Sequence, residues 1–153
     1  MTGFKQFVET KSQEEVKETL DKLPKAHQAL AKGYKFKFFG DCTLKGSSEN
    51  IGMIHLNNDK KKEIHVAAPW NYGRQFALLH ELAHLVYEEY MANNKSLKKK
   101  WQTIVDKTKK KLNQPAEELW CHAYANHFVK NKVVIHTHPE WDKFMIEFCK
   151  KYC

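Results

Sequence analysis

Arginine is almost missing from this chain. Arg74 is the only one, so lysine supplies the other 25 of the 26 basic residues. Reading base edges favours arginine's bidentate fork, which argues against sequence-specific nucleic-acid recognition despite a formal charge of +8. The lysines gather at Lys60-Lys61-Lys62, Lys98-Lys99-Lys100 and Lys109-Lys110-Lys111. Such runs attract nucleic acid or other anionic partners without sequence preference, and on a helix they more often form a solvated face. Long apolar stretches are also lacking. None approaches the ~20 residues a membrane span requires, and Met1-Thr2-Gly3-Phe4-Lys5-Gln6 has no apolar signal-peptide core. A cytoplasmic protein is expected, with Cys42, Cys121, Cys149 and Cys153 reduced. Cys149 and Cys153, four apart, share a helix face. No second Cys/His pair stands at the spacing of a structural zinc site. There is no internal repeat, linker or low-complexity segment. With 153 residues, 42% of them hydrophobic and 12% aromatic, the chain is expected to form a single domain over 1–153.

The pattern along the chain predicts a helix, three strands and then four helices, an α+β order. Ser12-Gln13-Glu14-Glu15 has the form of a capping box, followed by Val16, Leu20 and Leu23 at helical spacing. Pro24 ends or interrupts that helix, and Ala26 to Ala31 can add a short turn. Tyr34 to Phe38 alternates aromatic and basic residues, as a strand does. Asp41 to Asn50 reads as a loop, and Ile51 to Leu56 and Lys62 to Ala68 as two short strands joined at Asn57-Asn58-Asp59-Lys60. Pro69-Trp70-Asn71-Tyr72-Gly73 breaks the pattern ahead of a helix over Arg74 to Ala92. A lysine-rich helix follows from Ser96 to Leu112. Pro115 and the acids after it open another helix, to about Lys130, and Thr137-His138-Pro139-Glu140 opens the last.

The central helix carries His80-Glu81-Leu82-Ala83-His84, an H-E-x-x-H pattern. Residues i and i+4 lie on one helix face, so His80 and His84 can hold one metal ion, with Glu81 placed beside them to act on water. With 9 histidines and 13 glutamates in the chain, composition alone gives roughly a 3% chance of such a match, and the apolar helical setting lowers it further. Catalytic zinc takes three protein ligands and keeps a fourth position open. The helix after Pro115 offers Glu117 and Glu118, whose directions differ by about 100°. Burial slightly favours Glu117, which sits closer to the stripe Ala116, Trp120, Ala123, Tyr124 and Phe128. Glu118 shares its face with His122, which could support the site through a hydrogen bond. Either acid could instead be a helix N-terminal charge without a metal role.

Arg74 six residues before His80, the F-A-L-L-H-E-L-A-H core, and Glu118-Leu119-Trp120-Cys121-His122-Ala123-Tyr124-Ala125 together resemble the ImmA/IrrE family of metallopeptidases. The resemblance covers about Ile51 to Phe128, half of the chain. It implies a zinc site of His80, His84 and Glu118 with Glu81 as the catalytic glutamate, and a zincin-like fold in which a small three-stranded antiparallel or mixed sheet packs against a helical bundle carrying the H-E-x-x-H helix. It also implies a protein substrate such as a repressor or other regulator. The stretch from Leu23 to Arg74 is similar to a branch of that family found in phages and integrated elements. Departures are Ala83 where members often have glycine, His122 where they have Asn or Asp, and Phe128-Val129-Lys130-Asn131 in place of an L-L-M-P-like stretch. The helix-turn-helix domain of some members is also lacking.

The expected activity is therefore that of a zinc-dependent endopeptidase acting on a protein or peptide. Glu81 would serve as general base and then general acid. His122, Tyr87 and Tyr124 are candidates for supporting the site or stabilising an oxyanion. The rival is a non-enzymatic, basic, metal-stabilised module that binds nucleic acid or a partner protein, which would gain if His136, His138 or Cys121 supplied a fourth ligand. His136 and His138 read more simply as a strand end and a helix cap. His27, His55 and His65 read as core-edge residues, and Trp70, Trp101, Trp120 and Trp141 as packing.

Overall fold

In the computed structural model the residues described are 13–39, 52–55, 63–67, 73–108, 114–129 and 137–153. Helix α1 covers 13–21, with Val16, Thr19 and Leu23 just beyond it buried on one side. Pro24 then caps α2, Lys25–Leu30. Gly33, at φ +92°, turns the chain into β1, Lys35–Phe39. Nothing lies within 4 Å of a Cβ added there, so the demand for glycine is purely conformational. Strands β2, Gly52–His55, and β3, Glu63–Ala67, follow. β3 lies between the others, parallel to β1 from Lys35↔Glu63 to Phe39↔Ala67 and antiparallel to β2 from Gly52↔Val66 to His55↔Glu63.

Helix α3, Gly73–Tyr90, is the axis of the molecule. Every residue from Phe76 to Ala83 is 2% exposed or less, so this stretch is enclosed on all sides, as expected of a helix apolar around its whole circumference. It packs against α5, Ala116–Phe128, and more lightly against β2 and β3. In α5 the run from Leu119 to Asn126 is buried throughout. Between them lies α4, Lys95–Thr108, opened by Asn94, whose Oδ1 accepts from the Leu97 N–H at 3.1 Å. Trp101, Val105 and Thr108 face the core at helical spacing, while Lys98, Lys99 and Lys100 are exposed, the solvated-face arrangement. Helix α6, Pro139–Tyr152, starts with proline at its first position, and His138 caps it by accepting the Glu140 N–H on Nδ1 at 3.1 Å. The two indoles at the α4–α6 junction find partners. Trp101 Nε1–H donates to the Ala116 carbonyl at 2.7 Å, and Trp141 Nε1–H to Thr108 Oγ1 at 2.8 Å.

The expected fold class is corrected. Among the described residues the protein is mostly helical, with six helices, and the strands form only a tiny sheet around the parallel β1–β3 pair, too small to be the layer that an α+β architecture sets against its helices. The physical reason is length. Strands of four and five residues reach only about 13–17 Å, whereas the 18 residues of α3 reach about 27 Å. Of the strand residues whose burial is described, only Ile64 and Val66 enter the fully buried core, and helices supply nearly all the rest. The expectation of four reduced thiols is corrected too: Cys149 and Cys153 are joined in a disulfide across one turn at the end of α6, while Cys121 is a free thiol, fully buried. Among the described residues no helix is long and apolar enough to cross a membrane. Ser12, the loop from Asp41 to Asn50, the turn at Asn57 to Lys60, Cys42, Trp70, His136 and the runs Lys60–Lys62 and Lys109–Lys111 lie outside the described residues.

Candidate metal centre

The i, i+4 spacing of α3 sets the imidazoles of His80 and His84 edge to face, ring centres 5.2 Å apart. Burial differs between them, His80 being enclosed and His84 half-buried. Packing of α5 across α3 brings the first turn of α5 over this pair. Glu118 then lies between the two rings: His80 Nε2–H donates to Oε2 at 2.9 Å, and His84 Nε2 stands 3.1 Å from Oε1. Both oxygens of one carboxylate are thus engaged by two imidazoles from another helix. Glu117 approaches the same pair from outside, its Oε2 3.8 Å from His84 Nδ1. Of the two acids left open by the sequence, Glu118 is the one that faces both histidines.

Glu81 is 2% exposed, and its carboxyl belongs to a group with His80 and His84 whose ligand-type atoms lie within 4.8 Å of one another. These three residues could hold a metal ion. Glu118, outside that group, contacts both Nε2 atoms at 2.9 and 3.1 Å, so two imidazoles and two carboxyl groups meet here. These donors suit a divalent metal: imidazole nitrogens and carboxylate oxygens converge, and the protons now shared between them are those a metal displaces on binding.

Electrostatics follow from this packing. Burial, reinforced by the Glu118 charge and partly offset by His84, pushes the Glu81 carboxyl up to about 8. The Glu118 carboxyl is pulled the other way, because hydrogen bonds and charge from His80 and His84 outweigh its own burial. In His80 burial prevails over the pull of Glu118 and lowers the imidazole. His84, less enclosed, is raised, since Glu118 above all, then Glu81 and Glu117, outweigh burial.

The remaining candidates are spread around this centre. His122 is buried with its ring centre 4.5 Å from that of His80, and its Nε2–H donates to Gln114 Oε1 at 3.1 Å. Phe76 stacks on both, 5.8 Å from His122 and 6.5 Å from His80. The hydrogen bond made by His122 thus goes to Gln114, not to the Glu118 with which it shares a helix face. Tyr87 is buried with its ring against Trp120 at 5.5 Å. Tyr124 does not join the group: its hydroxyl is 2.8 Å from His27 Nδ1, away from the two ligand histidines. Neither Cys121 nor His138 joins the three-residue cluster among the described residues, and His138 is occupied in capping α6.

Two neighbours escaped the sequence reading. Phe76 stands four residues before His80, a spacing that could have revealed it. Gln114 sits in the turn before α5, where nothing in the local pattern marks it. No family model, curated protein or solved structure matches the chain. The likeness to ImmA/IrrE metallopeptidases therefore rests on the motif residues alone.

Proposed function

We propose that the protein is a zinc-dependent endopeptidase of the gluzincin type, related to the ImmA/IrrE family. The observation that carries the reading is the convergence of His80 Nε2 and His84 Nε2 on the two oxygens of Glu118, at 2.9 and 3.1 Å, with the buried Glu81 alongside. His80, His84 and Glu118 would hold the metal. Bound there, zinc would act as a Lewis acid toward the scissile carbonyl and make a neighbouring water easier to deprotonate.

Glu81 would take the proton from the attacking water and deliver it to the leaving amine nitrogen. Without metal, burial holds this carboxyl up to about 8, and a divalent cation beside it would favour the carboxylate form that the first half of the transfer needs. The apolar enclosure of His80 and Glu81, 2% exposed each, keeps bulk water away from the charges that develop. His122 and Tyr87, buried nearby, are the remaining candidates for steadying an oxyanion. A protein substrate, such as a repressor, is the part of the proposal that comes from the family resemblance.

The test is hydrolysis of a quenched fluorescent peptide library by the zinc-loaded chain, with Glu81→Gln as the control. Cleavage that needs zinc and falls by at least 100-fold in Glu81→Gln is expected. Equal cleavage by both proteins would refute the assignment of Glu81.

A further inference from the structure

His84 differs from His80 in what surrounds its second nitrogen. Among the described residues His80 Nδ1 is buried without a hydrogen-bond partner, whereas His84 Nδ1 faces the Glu117 carboxylate at 3.8 Å. His84 therefore stands between two carboxylates contributed by consecutive residues of α5, Glu118 on Nε2 and Glu117 on Nδ1. We propose that Glu117 is a positioning residue for the metal centre, the outer carboxylate that fixes the ring orientation and tautomer of His84 so that Nε2 presents its lone pair to the metal. The inference rests on the metal site proposed above. It gives the two adjacent acids distinct roles, one as ligand and one as support.

The chemistry is general. A ligating imidazole offers one nitrogen to the metal and donates the N–H of the other, and a carboxylate at that second position holds the ring and makes it a stronger donor. The need is greater at His84, whose side chain is 19% exposed, whereas His80 is 3% exposed and packed beside Phe76 and His122. At 3.8 Å the present separation is that of an ion pair, longer than a hydrogen bond. The Glu117 side chain, 40% exposed, has room to close on the ring. Glu88 and Lys98 also act on Glu117 through their charges. Glu88 therefore serves as the control: a nearby acid on α3 with an exposed side chain and no ion pair to His84 among the described contacts.

The experiment measures zinc affinity of the full chain by competition with a chromophoric chelator, for wild type, Glu117→Gln, Glu117→Ala and Glu88→Gln, together with the visible spectrum of each protein loaded with Co2+. Loss of the outer carboxylate is expected to weaken zinc binding by about 10–100-fold in Glu117→Ala. Glu117→Gln should lose less, because its amide oxygen can still accept the Nδ1–H. The Co2+ bands should shift in both Glu117 variants and stay put in Glu88→Gln. Affinities within twofold of wild type and superimposable Co2+ spectra would overturn the proposal and leave Glu117 as a helix N-terminal acid, a role that alters thermal stability but not metal affinity. An equal loss in Glu88→Gln would also overturn it, by reducing the effect to bulk charge. A wild type that binds no zinc would remove the underlying site as well, which separates that failure from the failure of Glu117 alone.

Discussion

Glu81 is a carboxyl group kept at 2% exposure next to His80, an arrangement that works against folding. Its native pKa is raised to about 8, while the unfolded chain releases the same proton near the ordinary carboxyl value of 4.5. Between those values the native state binds more protons than the unfolded state, so stability falls as pH rises through about 4.5 to 8. Glu81→Gln should remove that fall. The metal-free variant is expected to be more stable than wild type at pH 8, by a few kcal/mol at one unit per ~1.4 kcal/mol, and to show a flatter profile from pH 5 to 8. Urea denaturation of both proteins across that range measures it. A wild type and variant with parallel profiles would mean that Glu81 is already ionised in the metal-free fold. The proposed activity and stability are opposed at this position, as is usual where a site holds a group in an unfavourable setting.

Helix α2 is only six residues long, and His27 is the residue it buries. His27 is buried, its Nε2–H donating to the Tyr152 carbonyl at 2.8 Å and its Nδ1 accepting the Tyr124 hydroxyl at 2.8 Å. One imidazole thus joins α2, α5 and the end of α6, with the Tyr90 ring of α3 5.6 Å away. A carbonyl can only accept, so this pattern requires the neutral ring with its proton on Nε2. Burial lowers the His27 pKa more than the bond to Tyr152 raises it. As pH drops through 6.5 the unfolded chain takes up the proton first, and the native state loses stability on acidification. His27→Gln is expected to reduce stability at pH 7.5 by about 1–3 kcal/mol through imperfect pairing of the two partners. It should also lose less than wild type does on moving to pH 5, as read from urea midpoints. A larger acid loss in the variant would contradict the assignment.

Most element boundaries were legible because they are written in local chemistry. Pro115 and His138-Pro139 mark α5 and α6 through proline's fixed φ and an N-cap acceptor. What misled was the weight given to three short strands. Period-2 patterning reveals a strand but not whether it belongs to a substantial layer, and here the helices close the core almost without the sheet. The disulfide of Cys149 and Cys153 escaped for a different reason, since the expectation of reduced thiols rested on compartment, not on their shared helix face.

At the scale of the whole molecule, the candidate site is a product of two helices distant in sequence. The pair His80 and His84 with Glu81 was readable from spacing alone, because a helix fixes i and i+4 on one face. Glu118 required the packing of α5 over α3, which places residue 118 between the histidines and residue 117 outside them. Periodicity within α5 left that choice open and even leaned toward Glu117. The surrounding protein supplies the enclosure: the apolar residues of α3 and α5 bury His80, Glu81 and His122, and leave His84 and Glu118 at the accessible edge. The lysines of α4 lie exposed on its outer face.

The most direct test of the metal centre is the zinc content per chain, by atomic emission, of protein purified without added metal or a polyhistidine tag, for wild type, His84→Ala and Glu118→Ala. About one zinc per wild-type chain, lost or sharply weakened in both variants, is the result predicted for two histidines and Glu118 around one ion. A wild type that holds no zinc, even after zinc is added back, would contradict the account.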